Sequence, residues 1–118
     1  MIGSPQAWSA ATNAAGQWMY IDAGAVREVF GVVTQGRKDC CSQWVTSYKV
    51  DMYLSGSWVA VRNEAGSSTF TGNTDANTQV QHRFSNSVTT RYVKFSPLSW
   101  TSHIAMRAGL LILPPTPN

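Results

Sequence analysis

The chain has 118 residues, a length that suits one domain with a single hydrophobic core. Hydrophobic residues make up 43% and charged residues 13%, a composition that excludes an intrinsically disordered chain. Nine Lys and Arg against six Asp and Glu give a formal charge of +3, and because the basic residues are scattered we expect no nucleic-acid partner. No apolar stretch approaches the about 20 residues that span a bilayer, and no signal peptide is visible at the start.

The two cysteines, Cys40 and Cys41, are adjacent. A small secreted domain stabilised by disulfides would have several cysteines spread along the chain. We therefore expect core packing to supply most of the stability. Five Trp, four Tyr and four Phe are many for this length, and large aromatic side chains favour packed β-surfaces and ligand-facing loops.

Short segments with period-two alternation follow one another along the chain, separated by Gly, Ser, Asn and Pro. This pattern is typical of an all-β sandwich or barrel, and no helical stripe interrupts it. The predicted strands cover residues 17–22, 26–34, 47–54, 58–62, 79–84, 91–95 and 103–111. The first of these stops at Ala23-Gly24. Residues 113–118 hold three of the five prolines, so we expect a tail that joins no sheet.

The clearest alternation places Tyr48, Val50, Met52 and Leu54 on one face of a half-buried strand. Ser55-Gly56-Ser57 then predicts a tight turn, after which residues 58–62 return as the second arm of a hairpin. Because loops carry recognition in such folds, the connections at 8–16, 36–43, 72–77 and 97–103 are the candidate functional segments.

Four further features have structural interpretations. Residues 73–77 resemble the start of a calcium loop, but Thr78 and Phe84 stand where an EF-hand needs Gly and Glu, so we predict a turn. His82 alternates with apolar neighbours and is expected to be a satisfied, inward histidine. Arg107 is expected to pair with Asp22 or another carboxylate. The tryptophans at 18, 58 and 100 are expected in the core or at loop bases, while those at 8 and 44 line or buttress a site.

Seven strings, in order, resemble the discoidin family, also called the coagulation factor V/VIII C-type domain. They are Ala7-Trp8 with Gln17-Trp18, Ile21-Asp22, residues 31–37, residues 43–50, residues 70–75, Arg91-Tyr92-Val93, and Ser99-Trp100 with residues 103–107. The run TQGR followed by QWVTSYKV is most similar to the slime-mould discoidin lectins and their invertebrate relatives. The resemblance covers about residues 7–111.

The resemblance implies an all-β, jelly-roll β-sandwich (galactose-binding-like) of about seven to eight antiparallel strands, with ligand-binding loops, or spikes, at one end. Residues 1–112 would form the discoidin-like domain and 113–118 the Pro-rich tail. Family domains are usually longer, and the segment expected to carry the first strand and first spike is missing here. The usual terminal cysteine pair is also missing. An incomplete sandwich exposes a strand edge, so we expect an oligomer or a larger assembly.

The resemblance also places polar side chains on the spikes: Ser9 and Asn13 on the second, Arg37, Asp39 and Gln43 on the third with Trp44 beside it, and His103 in the last loop. Planar polar groups bind paired sugar hydroxyls while an aromatic face covers the apolar side of the ring. We therefore predict that these seven residues contact ligand. The alternative is that Asn13 and Asp39 only make turn hydrogen bonds.

Lys38, Cys40 and Cys41 are predicted to contact a membrane or a partner at the tip of the third spike. The cysteine pair has four interpretations: a vicinal disulfide, a metal-thiolate site, small apolar groups at the tip, or an intermolecular bridge. Adjacent residues chelate one ion poorly, and a tip of modest hydrophobicity is favoured.

The sequence does not indicate an enzyme, because its two histidines belong to no nucleophile–base motif, although a pairing of Cys40 or Cys41 with His103 is conceivable. We predict a non-catalytic module that binds cell-surface or matrix glycans, galactose-type favoured, and supports adhesion. The alternatives are peripheral binding to anionic phospholipid and a protein interaction domain. No cofactor is expected, although a structural calcium ion is left open, and the resemblance implies an extracellular or cell-surface location.

Overall fold

The computed structural model describes residues 8–10, 12–36 and 42–114, and every regular element in them is a β-strand. The seven strands are β1 (Trp8–Ser9), β2 (Met19–Gln35), β3 (Trp44–Leu54), β4 (Ser57–Val61), β5 (Phe70–Thr71), β6 (Val80–Thr101) and β7 (Ala105–Ile112). In this part of the chain no helix is long and apolar enough to cross a membrane.

A long antiparallel ribbon of β2 and β6 organises the fold. Its register breaks between Asp22 and Arg27, where four residues of β2 have no partner and Gly24 has a φ of +85°. Asp22 accepts a hydrogen bond from the Gly24 backbone at this break, and its carboxylate pairs with Arg91 on β6 at 2.7 Å. These contacts fix a bend, so the ribbon contributes to both layers of a sandwich.

The strand order is β1-β7-β2-β6-β3-β4, with β5 beside β3. In the first layer β3 lies between β4 and the second half of β6, which pairs with the start of β2. In the second layer β7 lies between β1 and the second half of β2, which pairs with the first half of β6. All pairings are antiparallel, so the predicted all-β, jelly-roll class is confirmed.

The core lies between the two layers and is built from the alternate residues of each strand. Val50, Val93 and Phe95 of the first layer are fully buried, as are Val29 and Met106 of the second. The buried ring of Tyr48 stacks on Phe70 at 5.5 Å, and burial raises the pKa of its phenol well above the ordinary value. The inward residues of all the long strands therefore form one continuous apolar interior.

The predicted hairpin of β3 and β4 is confirmed, with Leu54 opposite Ser57 across a two-residue turn. Ser55 and Gly56 both have positive φ, 50° and 86°, which is the type I′ geometry that matches strand twist.

The predicted division of the ribbon is wrong in two places. The predicted strands 17–22 and 26–34 are parts of one strand, β2, which begins at Met19, and the predicted strands 79–84 and 91–95 are parts of another, β6, which begins at Val80. Ala23-Gly24 predicts a strand end, but it lies in a bulge inside β2; a bulge and a strand end have the same pattern in the sequence. Most of the predicted loop at 97–103 also lies within β6. Of the predicted tail, only Leu113 and Pro114 are among the described residues.

Candidate functional site

The described ends of four connections lie at one end of the sandwich, here called the loop end; the connections join strands across residues 10–18, 36–43, 72–79 and 102–104. The registers bring them together, because Thr34 pairs with Val80, Gln35 with Arg107, and Trp44 with Thr101. Ser9 pairs with Ala105, which brings the start of the first connection to the same end. The loop end is therefore positioned by the ends of five strands.

Asn13 and His103 tie two of these connections to each other. Asn13 donates through Nδ2 to the carbonyl oxygen of Ser102 at 2.9 Å and accepts through Oδ1 from the backbone N–H of Ile104 at 3.0 Å. His103 Nε2 lies 3.0 Å from the carbonyl oxygen of Ala10. The structure thus brings together two of the predicted site residues, Asn13, which is exposed, and His103, which is half-buried. Their side chains are held by backbone groups.

Gln43 and Trp44 lie at the stem of the connection between β2 and β3. Both are half-buried, and Gly36 on the other arm of the stem is buried against them. A Cβ at position 36 would lie 2.8 Å from the carbonyl oxygen of Gln43 and 2.8 Å from the Cβ of Trp44, so only glycine fits. The Oε1 of Gln43 is buried and accepts no hydrogen bond within the described part of the chain. The stem therefore holds a buried polar acceptor near the predicted third spike.

Arg107 lies in the core below the same region. It was expected to pair with Asp22 or another carboxylate, and the structure excludes Asp22. Asp22 pairs with Arg91 at the other end of the ribbon, whereas Arg107 is 1% exposed and donates from Nε to the carbonyl oxygen of Gly36 at 2.7 Å. A second nitrogen donates to the carbonyl oxygen of Ala76 at 2.7 Å. A buried guanidinium with five donors can satisfy several loop carbonyls at once, so Arg107 joins β7 to two connections.

Residues 73–77 form a turn, as predicted. The Asp75 carboxylate accepts hydrogen bonds from the backbone of Asn77 and from the backbone and hydroxyl of Thr78. These bonds hold the pKa of Asp75 below its usual value, and the bond from the Thr78 backbone has the largest effect. The buried amide of Asn73 donates to the carbonyl oxygens of Thr34 and Thr78. All these groups are engaged in fixing the turn.

Comparison with known proteins identifies the family. Residues 3–110 match the F5/8 type C domain. The chain belongs to the F5/8 type C domain family. It is 37% identical over 111 residues to mouse (Mus musculus) lactadherin, a match that covers 92% of the chain and 24% of lactadherin. The chain therefore spans about a quarter of the length of that relative.

Solved structures agree with the family. The F5/8 type C domain superposes on wild-type discoidin II of Dictyostelium discoideum with a TM-score of 0.81 at 29% identity, covering 93% of this chain and 42% of discoidin II. The family 32 carbohydrate-binding module of C. perfringens NanJ, solved in complex with galactose, gives a TM-score of 0.61 at 12% identity, covering 84% of this chain and 70% of that module. The second likeness shows a shared fold.

The remaining predicted site residues are only partly visible in this F5/8 type C domain. Arg37, Lys38, Asp39, Cys40 and Cys41 lie outside the described residues, so their predicted roles stay predictions. Ser9 lies in β1, whose backbone pairs with Ala105 of β7, and therefore not in a loop as its predicted position implied.

Two of the tryptophans that were expected in the core or at loop bases are instead well exposed. Trp18 is 51% exposed and Trp58 is 36% exposed, and both lie on the outer side of the first layer. Trp100 packs against the core as predicted. His82 Nε2 lies 2.6 Å from the carbonyl oxygen of Thr71, in agreement with a satisfied histidine.

Among the depressions formed by the described residues, two adjoining ones involve no predicted site residue. One, of about 320 Å³, is lined by Tyr20, Tyr53, Trp58 and Tyr92. The other, of about 440 Å³, adjoins it and is lined by residues of the hairpin turn and the ribbon bend. Both therefore lie away from the loop end. Within residues 8–10, 12–36 and 42–114, no group of three His, Cys, Asp or Glu is placed to hold a metal ion.

Proposed function

We propose that this F5/8 type C domain is a non-catalytic recognition module whose loop end binds a cell-surface or matrix glycan, galactose-type favoured, outside the cell. One observation carries the proposal. Asn13 and His103 hold each other's loops through backbone hydrogen bonds, so a polar surface is fixed before any ligand arrives. Pre-organised groups lose little conformational freedom on binding, which raises affinity for small, polar ligands such as sugars.

The chemistry of these groups suits hydroxyl ligands. His103 Nε2 donates its proton to the carbonyl oxygen of Ala10, so Nδ1 of the neutral ring is the acceptor that can face a ligand hydroxyl. The Asn13 amide has one further N–H and one further lone pair beyond its two bonds to the last loop. We infer that Ser9, Arg37, Asp39 and Gln43 complete the polar set and that Trp44 supplies or supports the apolar wall.

The relatives support a saccharide ligand. The NanJ module has the same sandwich fold, and galactose is bound to that protein. The two histidines also support binding in place of catalysis, since His82 and His103 each have a ring nitrogen directed at a backbone carbonyl oxygen and not at a nucleophile. Adhesion follows if the domain forms one part of a longer or oligomeric protein with several such sites.

Titration calorimetry with galactose, N-acetylgalactosamine and lactose tests the proposal after a glycan array has ranked the ligands. The variant His103→Ala should lower affinity at least about tenfold, because it removes the proposed ligand group and loosens the loop contact. His82→Ala is the matched control, since it also removes one histidine bonded to a carbonyl oxygen but lies away from the loop end. Equal affinity in both variants, or an array without any galactoside signal, contradicts the proposal.

Vesicle sedimentation tests the lipid alternative, in which Arg37 and Lys38 attract anionic headgroups while Cys40 and Cys41 enter the interface. Phosphatidylcholine vesicles with and without phosphatidylserine are compared at equal lipid concentration. Binding that requires phosphatidylserine and is lost in Lys38→Gln would replace the glycan proposal. Light scattering on the protein without lipid tests whether the chain forms the oligomer expected from the sequence.

A further inference from the structure

The outer side of the first layer carries five aromatic side chains, here called the aromatic face: Trp18, Tyr20, Tyr53, Trp58 and Tyr92. They come from four adjacent strands or strand ends. Tyr53 lies directly opposite Trp58, and Tyr20 lies opposite Lys94, two residues after Tyr92 on β6. Alternation along each strand directs these side chains away from the core, so they take no part in holding the layers together.

The exposure of this surface is large for side chains of this kind. Trp18 and Tyr20 are each 51% exposed, Tyr53 is 39% exposed and Trp58 is 36% exposed. Single exposed apolar residues are ordinary, but contiguous ones mark interaction sites. Because the aromatic face is contiguous and lies on paired strands and their ends, we interpret it as a binding surface.

The ring angles decide what kind of ligand fits. Tyr20, Tyr92, Tyr53 and Trp58 form a closed circuit with centroid separations of 5.7, 6.0, 5.2 and 6.4 Å. Three of the four neighbouring pairs are nearly perpendicular, at 81°, 88° and 72°. Perpendicular rings make the walls of a depression, whereas a flat platform for a crystalline polymer needs coplanar rings. The depression measures about 320 Å³, at the small end of ligand pockets.

Lys94 adds a positive charge at the edge of the depression. Its Nζ lies 4.8 Å from the ring centroid of Trp58 and 5.4 Å from that of Trp18. Asp51 is its neighbour in the backbone register, yet within the described part of the chain the Lys94 ammonium makes no ion pair at 4.0 Å or less. The ammonium is therefore held by aromatic faces and can still donate to a ligand.

The neighbouring charges favour an anion. Arg91 neutralises Asp22 through two hydrogen bonds of 2.7 and 3.0 Å, so that carboxylate is already engaged. Lys49 precedes Asp51 by two residues on the same side of β3, so Lys94 and Lys49 outweigh Asp51 on this surface. A quaternary ammonium ligand suits four aromatic walls but would be repelled by Lys94.

We propose that the aromatic face is a second binding site, separate from the loop end, for an acidic saccharide. A sugar ring stacks in the depression lined by Tyr20, Tyr53, Trp58 and Tyr92, and its carboxylate or sulfate pairs with the Lys94 ammonium. Stacking supplies apolar contact with the C–H side of the ring, and the charge pair selects acidic over neutral sugars.

The probe is a chondroitin sulfate hexasaccharide, with the desulfated and carboxyl-reduced hexasaccharide as its neutral counterpart, titrated calorimetrically into the wild-type chain. We expect binding of the acidic form to be at least about tenfold tighter than that of the neutral form, and to weaken as salt is raised. Trp58→Ala and Lys94→Gln should each reduce affinity about tenfold, while Lys94→Arg retains it. Circular dichroism and thermal melting confirm that each variant folds.

The matched control is Arg83→Gln, because Arg83 also lies over an aromatic ring, 5.6 Å from the centroid of Phe30, but outside the aromatic face. It should bind the hexasaccharide as the wild type does. His103→Ala should also leave this affinity unchanged, which separates the aromatic face from the loop end. The proposal is overturned if the two hexasaccharides bind equally, if neither binds, or if Lys94→Gln and Arg83→Gln behave alike. It is also overturned if the aromatic face proves to be a self-association surface, shown by concentration-dependent sedimentation that Trp58→Ala abolishes.

Discussion

The Nε of Arg107 donates a 2.7 Å hydrogen bond to the carbonyl oxygen of Gly36, which joins the centre of β7 to the stem of the connection between β2 and β3. Arg107 is 1% exposed, so its guanidinium is almost completely removed from water. Its second bond, to Ala76, reaches another of the connections at the loop end. In the proposed function, Arg107 therefore positions the candidate site without contacting the ligand.

Replacing Arg107 by Met should lower the free energy of unfolding by about 3 kcal/mol, because the carbonyl oxygens of Gly36 and Ala76 lose buried partners. Urea denaturation followed by tryptophan fluorescence measures this change. Arg91→Met is the control, since it breaks an exposed ion pair with Asp22 and should have a much smaller effect. A similar loss in both variants would show that Arg107 is not a buried anchor.

The sequence predicted the strands wherever one side of the strand is buried. Tyr48, Val50 and Met52 alternate because one side of β3 packs on the core, and the hairpin turn carries the glycine that its geometry needs. The bend of the ribbon was missed for a physical reason. A bulge and a strand end both present Gly and a change of period, and only the pairing of Arg27 with Thr90 shows that the strand continues.

The candidate site was predictable in part. Asn13 and His103 were found through the family resemblance, and the structure places both at the loop end. Asp22 or another carboxylate was expected beside Arg107 because a buried charge usually implies an opposite charge; Asp22 pairs with Arg91 instead, and among the described residues the carbonyl oxygens of Gly36 and Ala76 accept hydrogen bonds from Arg107. Trp18 and Trp58 were expected in the core or at loop bases because tryptophan is usually largely buried. The sequence alone cannot show that several outward aromatic residues become neighbours through strand pairing.

Asp75 should make the stability of the domain depend on acid pH. Its folded-state pKa lies below the ordinary value of 3.8, so its contribution is fully present above that pH and is lost as the pH falls through the folded-state pKa. The variant Asp75→Asn should reduce the unfolding free energy at pH 7 but have less effect at pH 2.5. Urea titrations at both pH values measure the difference. An effect of equal size at the two pH values would contradict the assignment.

The turn between β3 and β4 offers a stabilising substitution. Ser55 has a φ of 50°, which Asn adopts more easily than Ser, and Asn-Gly is the preferred pair for this turn type. Ser55→Asn should raise the free energy of unfolding by about 0.5 kcal/mol, whereas Gly56→Ala should lower it by about 1 kcal/mol because φ at position 56 is 86°. Urea midpoints of the two variants should therefore move in opposite directions. Movement in the same direction would exclude the type I′ assignment.

Asn13 should control the order of the last loop through one identifiable bond. Its Oδ1 accepts from the N–H of Ile104, so Asn13→Ala should speed hydrogen exchange at that amide, while Asn13→Asp keeps an acceptor oxygen and should preserve the protection. Exchange followed by NMR measures the Ile104 amide directly. The N–H of Gly72, bonded to the carbonyl oxygen of Thr46, is the internal control and should exchange equally in all three proteins. If Asn13→Ala also lowers galactoside affinity and Asn13→Asp lowers it less, the order of this loop is coupled to ligand binding. If the Ile104 amide stays equally protected in Asn13→Ala, Asn13 does not control the order of the last loop.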